Sequence, residues 1–391
     1  MNITPRTAIT LTFIAFGAMI GSQVGAIPAL KAQSGTDSFV FGLLAALGTM
    51  ATIGAMSLAG QINKRFDHRS VLLFIMPITF VAMVYSLTVH SVLAFGLAFL
   101  LLSICTGTMD LFMNAEASVV EHDAGKPIFS SFHGAVLYAI GLFGLIGSFI
   151  AIQYGPLWAA LPSLPFTAAA VYAVNKAIPH RAEKTAEEKN NSAPLPRKIL
   201  MLIGIVLGLD VAAELTCVQW SGQMLNELQP QLAAYSGLGV AFYGLCNGSM
   251  RMIGDRLRTR FNDLHLVAAS LAVGFAGFVV LATGPGFAVS VVAFAIAGLG
   301  LGVIFPCLFS VAAHLAPNAR ASALGLTSVV SGPTRIISPF LLGYLAQNYG
   351  LSMIYVAAAV GILVALGFTF WASYEVTKKQ RAQVSSRPKT I

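Results

Sequence analysis

Charge is what this chain has least of: only 10% of its 391 residues are Asp, Glu, Lys or Arg, against roughly 25% in a typical soluble domain. A water-soluble protein of this length needs far more polar surface to cover its core, so a soluble globular fold is excluded. A Gly-x-x-x-x-Gly-Lys-Ser/Thr stretch is missing, as is any polar segment large enough to hold a nucleotide, which excludes ATP as the energy source. Cysteine is scarce. Cys105, Cys217, Cys246 and Cys307 all lie inside apolar blocks, without metal-ligand spacing or a disulfide framework, and read as small core residues. Asp110, His133 and Glu214 are the groups from which a catalytic site would have to be built, but no recognised catalytic spacing joins them. No enzyme activity and no cofactor are expected.

What the chain has in abundance is apolar residues, 57% of the total. They fall in blocks of about 20, the length a helix needs to cross ~30 Å of hydrocarbon. The blocks are continuous rather than alternating, which excludes a β-barrel. They lie near residues 7–30, 39–60, 70–90, 92–119, 130–153, 156–178, 198–225, 232–255, 263–283, 287–313, 321–346 and 350–374. The first is expected to be retained, because no small-residue cleavage site precedes it. The reading is therefore an all-α integral membrane protein of twelve transmembrane helices.

With the N-terminus placed in the cytoplasm, 20 of the 23 Lys and Arg residues fall in cytoplasmic segments and only Lys31 falls outside; Arg251 and Arg335 lie within spans. The positive-inside rule then puts both termini in the cytoplasm and the protein in the inner membrane, as a multi-pass protein. The net charge of +8 becomes a topology signal, and no nucleic-acid partner is implied. The longest polar stretch sits near the midpoint. It divides an N-terminal six-helix bundle (residues 1–178) from a C-terminal one (198–375) by a cytoplasmic linker (179–197), with a tail at 376–391. A shift of 195 residues lays Asn63-Lys64-Arg65-Phe66-Asp67 on Arg258-Thr259-Arg260-Phe261-Asn262, and Gly107 on Gly302. Two pseudo-symmetric halves with a site between them is a transporter architecture.

At this point the sequence resembles the major facilitator superfamily over nearly its whole length. That family's Gly-x-x-x-Asp-Arg-x-Gly-Arg-Arg signature is matched at Gly60, Arg65 and Arg69, with Lys64 and Asp67 departing from it; the second copy, Gly254-Asp255-Arg256, keeps the acidic residue. Met109-Asp110 through Asn114, Glu121, Gly125 to Gly134, and Glu214 with Trp220-Ser221 resemble its fucose-permease-like branch. The resemblance implies the major facilitator fold and supports Arg65 and Asp255 as cytoplasmic-gate residues; Arg69, Arg251 and His133, toward the same face, complete the candidate gate, with positive charge for topology alone as the competing reading. Drug–proton antiporters of the family usually carry a Gly-Pro pair in the fifth helix. Here that helix has Gly134, Gly141, Gly144 and Gly147 but no internal Pro, which weakens a multidrug-efflux reading.

Charged side chains inside a bilayer are costly and are functional-site candidates by default. Asp210 and Glu214, four residues apart, share one face of the seventh helix, and Arg335 falls at about their depth. A salt bridge from this carboxylate pair to Arg335 is expected, with Glu214 leading a proton-coupling set completed by Asp210, Asp110 and Arg335; a permanent structural ion pair is the competing reading. Asp110 and Asn114 again share a face, and Glu116 is read as solvated. Gln23, Asn114, Tyr138, Gln219, Trp220, Gln223 and Asn247 form a candidate set for a polar solute, although each alone also serves as interhelical glue or an interfacial anchor. Pro28, Pro306 and Gly332-Pro333 mark helix breaks. The expected function is secondary transport of a small polar solute, sugar-like first, by alternating access with proton coupling. Its partners are the solute, protons and the lipid bilayer, and it works as a monomer. Efflux of an amphipathic compound or organic anion, and a non-transporting receptor or assembly factor on the same fold, are the alternatives.

Overall fold

The computed structural model describes residues 3–63, 65–125, 128–180 and 195–385. Most of the expected linker, Lys64, Lys126 and the end of the tail lie outside them. The described chain is helical almost throughout. Helices α1 (Pro5–Ser34), α2 (Ser38–Asn63), α3 (His68–Thr88), α4 (Val92–Ala124), α5 (Phe129–Tyr154) and α6 (Leu164–Ala177) form the first half. The second comprises α7 (Arg197–Leu228), α8 (Leu238–Arg258), α9 (Asp263–Ala282), α10 (Phe287–Leu301), α11 (Ile304–Leu315), α12 (Arg320–Tyr349) and α13 (Leu351–Ser385). Each half crosses the bilayer six times, because α10 and α11 are two parts of one crossing.

The breaks have local causes. Pro306 has no N–H to donate to the Gly302 carbonyl four residues back, and its ring crowds that carbonyl, so the tenth crossing divides at Gly302-Val303. The sixth crossing starts as a 3-10 helix, Pro156–Ser163, where Pro156 and Pro162 interrupt the α ladder. The last helix continues beyond residue 375, the expected end of the bundle, into the expected tail. Residues 376–385 hold neither Gly nor Pro, and Lys198 Nζ donates to Glu375 Oε1 at 2.5 Å, pinning the end of the crossing to the start of α7.

The sequence repeat has a structural meaning. Asp67 and Asn262, superposed by the 195-residue shift, are the N-caps of α3 and α9; Asp67 Oδ1 accepts from Ser70 N, and Asn262 Oδ1 from Leu264 N and His265 N. Gly107 lets α4 approach the backbone of Thr52 in α2, and Gly302 does the same against Asn247 of α8. Thr52 and Asn247 are themselves 195 residues apart.

Within the first half, Gly17, Gly21 and Gly25 form a stripe every four residues on α1. A Cβ there would come within 2.5, 2.6 and 2.2 Å of backbone oxygens of α5, so only glycine admits this packing. Across the halves, α5 packs on α8 and α2 on α12. Large apolar side chains such as Phe74, Val81 and Leu93 stay exposed, as lipid contact requires. Ten of the crossings are long and apolar enough to span a membrane by composition alone; α8 and α12 are too polar for that test, α8 because it carries Arg251, Asp255, Arg256 and Arg258.

Candidate functional site

A cavity of about 260 Å³ lies between the halves, walled by α1, α2, α4, α7 and α12. Its polar lining is Gln23, Thr49, Thr52, Ser103, Thr106, Gln219 and Arg335. Gln23 is nearly buried; its Oε1 accepts from Ser86 Oγ at 2.8 Å, while its Nε2 has no partner among the described residues. The Arg335 Nε also has none. Asp110 and Glu214 reach Arg335 only through longer-range attraction.

One end of this cavity is closed. For orientation, the face at which α1 begins and α13 ends is called the terminal face, and the other the far face. At the far face the Gly42 backbone touches Gly343, where a Cβ would stand 2.5 Å from the Gly343 Cα. Beside it, Ser38 N donates to Gln347 Oε1 at 3.1 Å, and Phe39 meets Phe340 edge-on at 5.7 Å. The α5–α8 side closes through Ser148, whose hydroxyl donates to Ala234 O at 3.1 Å and accepts from Gly237 N at 2.9 Å. Under this seal, Trp220 packs edge-on to Phe41 at 5.3 Å, and Lys31 Nζ sits 5.7 Å from the indole and donates to Ser38 Oγ at 3.0 Å.

Toward the terminal face the close glycine contacts of α2 and α12 give way to open space. A Cβ at Gly54, Gly325 or Gly332 would meet nothing within 4 Å. The candidate gate residues there bond within their own halves. Arg69 donates to Asn175 Oδ1 at 2.6 Å and contacts His180 Nε2, and His180 Nδ1 lies 2.7 Å from Asp67 Oδ2. With Nε2 accepting from the guanidinium, Nδ1 carries the proton and donates to Asp67. Asp255 pairs with Arg258 at 3.4 Å in the same helix, Arg65 is exposed, and His133 packs against Phe13 and Phe129.

The expected ion pair exists with a different arginine. Glu214 Oε1 accepts from Arg251 Nη2 at 2.8 Å and from Asn247 Nδ2 at 3.0 Å. Arg251 Nε donates to Asn247 Oδ1 at 3.1 Å, and Asn247 Nδ2 also reaches the Tyr243 hydroxyl at 3.0 Å. Tyr243, Asn247 and Arg251 recur every four residues and so share the face of α8 turned to α7. Arg335 is not the partner, because it projects into the cavity from α12. Asp210, one turn from Glu214 and fully buried, has no hydrogen-bond partner for either carboxylate oxygen among the described residues.

The remaining candidates separate. Gln219 lines the cavity with Gln23 and Arg335, whereas Asn114, Tyr138, Trp220, Gln223 and Asn247 do not. Asn114 donates to Asp110 Oδ1 at 2.9 Å. Tyr138 joins Ser249 across the halves at 2.9 Å. Trp220 is wholly buried in the far-face seal, and both amide atoms of buried Gln223 lack partners among the described residues. Glu116, read from sequence as solvated, is buried and held by His68 Nδ1 at 3.0 Å. Glu121 Oε2 accepts from Ile128 N at 2.7 Å and Phe129 N at 2.6 Å, which caps α5. Sequence reading missed Tyr243 and Lys31; for Tyr243 the four-residue spacing from Asn247 was the available signal.

Two six-crossing bundles around a cavity that carries polar groups and is sealed at one face define a membrane transporter. The chain belongs to the Major Facilitator Superfamily, whose family model matches residues 9–339 and, in a second match, 233–390. It is 23% identical over 377 residues to an uncharacterized MFS-type transporter of Yersinia pestis, covering 93% of this chain and 94% of that one. It is 24% identical to membrane protein MosC of Rhizobium meliloti, covering 95% and 92%. Among solved structures it shares its fold with the nucleoside transporter NupG in a D323A mutant (TM-score 0.75, 12% identity, 94% of this chain and 100% of that one). It likewise shares the fold of the xylose transporter XylE from E. coli in a partially occluded inward-open conformation (TM-score 0.73, 12% identity, 93% and 95%). The family consists of transporters, so the chain is a multi-pass transporter and not an enzyme.

Proposed function

We propose that this transporter carries a small polar solute across the inner membrane by alternating access, coupled to protons, and that the state described faces the cytoplasm. The observation that carries the reading is the cavity between the halves, tightly packed at the far face and with open space beside Gly54, Gly325 and Gly332 toward the terminal face. The excess of Lys and Arg in the terminal-face segments makes that side cytoplasmic. A cavity of about 260 Å³ lies just below the ~300–1,000 Å³ range of ligand pockets, which favours a small solute. Nucleoside and xylose transport by the structural neighbours fits the same size class.

Proton coupling follows from charge balance. Asp210 and Glu214 are a turn apart, and the guanidinium that contacts Glu214 brings one positive charge to two carboxylates. Two ionised groups would leave a net negative charge in a low-dielectric site, and one proton cancels it. Glu214 exchanges that proton as its bond to Arg251 is made and released. Asp110, whose attraction to Arg335 crosses from the first half to the second, is the second candidate.

The test uses the full chain in proteoliposomes with a trapped pH dye and a panel of sugars, sugar acids, nucleosides and amino acids. A solute added outside should acidify the lumen in step with its own entry, and Glu214→Gln should lose this while keeping solute exchange without a gradient. Gradient-driven accumulation intact in Glu214→Gln would refute its coupling role, and no exchange with any class would refute the polar-solute reading.

A further inference from the structure

The cavity's hydrogen-bonding groups differ in what they can offer a solute. On the first-half side, four hydroxyls face it and each gives its proton to a backbone carbonyl: Thr49 to Ala45 O at 2.9 Å, Thr52 to Ser103 O at 3.1 Å, Ser103 to Phe99 O at 2.8 Å, and Thr106 to Ser103 O at 3.1 Å. A hydroxyl has one proton and two lone pairs. These four therefore offer the cavity acceptors only. Gln23, on α1 of the same half, has its carbonyl oxygen engaged by Ser86 and an NH2 group without a partner among the described residues; from the second half, Arg335 brings donors only and Gln219 brings an amide with both an acceptor and donors. A solute that satisfies these groups has strong acceptors for Arg335 and the Gln23 amide, and hydroxyl or ammonium donors for the four hydroxyls.

Charge chooses between the two kinds of donor. Among the described residues Arg335 is the one formally charged side chain lining the cavity, and no carboxylate among them lines it to receive an ammonium. A zwitterion would bring no net charge and leave its cation against neutral oxygens, whereas a hydroxylated anion cancels Arg335 and spreads its hydroxyls over the acceptor wall. The volume, roughly nine liquid waters at ~30 Å³ each, limits the solute to a single small ring or short chain.

Resting on the reading of this cavity as the transport site, we infer that the solute is a sugar acid, a small polyhydroxylated monocarboxylate. Its carboxylate meets Arg335 with the Gln23 amide nearby, and its hydroxyls donate to Thr49, Thr52, Ser103 and Thr106.

The experiment compares matched pairs on the purified full chain by thermal shift and by exchange in proteoliposomes: glucuronate against glucose, galacturonate against galactose, and gluconate, with serine as the zwitterion. At least one sugar acid should stabilise the protein and exchange, with its neutral partner at least about tenfold weaker, the scale of one lost charged hydrogen bond. Arg335→Gln should remove that preference, and Arg335→Lys should retain part of it; each variant's unliganded melting temperature reports whether it folds. Neutral sugars bound as well as their acids, with Arg335→Gln silent, would overturn the sugar-acid assignment while leaving the cavity as the transport site. Serine preferred over every acid would overturn it in favour of a zwitterion. Binding of the acids unaltered by both Arg335→Gln and Thr52→Val would place the site elsewhere and overturn the cavity reading as well.

Discussion

Removing Arg251 should damage the fold more than removing Arg335, although both arginines sit in membrane-crossing helices. Arg251 is bound to Glu214 at 2.8 Å, with side-chain exposures of 12% and 18% for the two partners. Cutting a buried pair at one end strands the other charge and costs about 3–5 kcal/mol. An unfolding entropy of ~2.1 cal/mol/K per residue gives roughly 0.8 kcal/mol/K for a chain of 391 residues. Arg251→Met should therefore lower the melting temperature by about 4–6 °C. Arg335 lacks a partner at its Nε, so Arg335→Met should move it by less than about 2 °C in either direction. In Glu214→Gln/Arg251→Met an amide replaces the stranded carboxylate, and most of the loss should return. Intrinsic fluorescence of the detergent-solubilised protein reads all four, since Trp220 lies in the buried far-face seal. Arg335→Met falling as far as Arg251→Met, or a double variant no more stable than Arg251→Met, would refute this assignment of the pair.

At the far face, Gly42→Leu places a side chain where even a Cβ would stand 2.5 Å from both the Gly343 Cα and the Pro339 carbonyl oxygen, so the seal should open. A cysteine at Thr49 in that background should react faster with an impermeant maleimide added at the far face; an unchanged rate would remove the seal from the mechanism. At the α2–α3 turn, burial opposes ionisation of Asp67, but hydrogen bonds from Ser70 and His180 outweigh it and hold its carboxyl below the usual range. Because the folded value lies below the unfolded one, the stabilisation is present above the ordinary carboxylate value of ~3.9 and is lost as pH falls through the folded value. The gap between wild type and Asp67→Ala, about 1 kcal/mol for a lost N-cap at neutral pH, should shrink steadily on acidification; melting curves in a pH series that show a constant gap would count against the ionised cap.

The crossings were legible because hydrocarbon thickness fixes their length. The block at 39–60 is α2, Ser38–Asn63, and that at 130–153 is α5, Phe129–Tyr154. The repeat was legible too, and the structure gives it meaning: Asp67 and Asn262, which it superposes, are the N-caps of α3 and α9. Counting residues along a span gives a side chain's depth but not its direction around the axis. That is why Arg335, at the right height, was expected to hold Glu214, while Arg251, on the face of α8 turned to α7, holds it instead. Trp220 shows the same gap: it was a candidate for contact with the solute, but its direction puts it in the far-face seal. Glu116 sits close enough to a helix end to be read as solvated, and only the arrival of His68 from α3 makes it a buried partner.

The repeat that relates the halves does not extend to their chemistry. The 195-residue shift takes Asp210 to Ala15, Glu214 to Met19, Arg251 to Met56 and Arg335 to Ile140. Thr52, the counterpart of Asn247, keeps that residue's close contact with a glycine while exchanging an amide for a hydroxyl. The first half thus supplies backbone geometry and an acceptor wall, and the second supplies most of the charge. This division bears on coupling. Glu214 and Arg251 both belong to the second half, so rocking one half against the other as rigid bodies does not by itself separate them. The attraction between Asp110 and Arg335 does cross the interface, and the same rocking changes it. On the proposed reading, a bound carboxylate that neutralises Arg335 weakens this tie between the halves, while the proton at Glu214 sets the charge of the half that carries it. Solute and proton then act on different ion pairs and meet in a single motion.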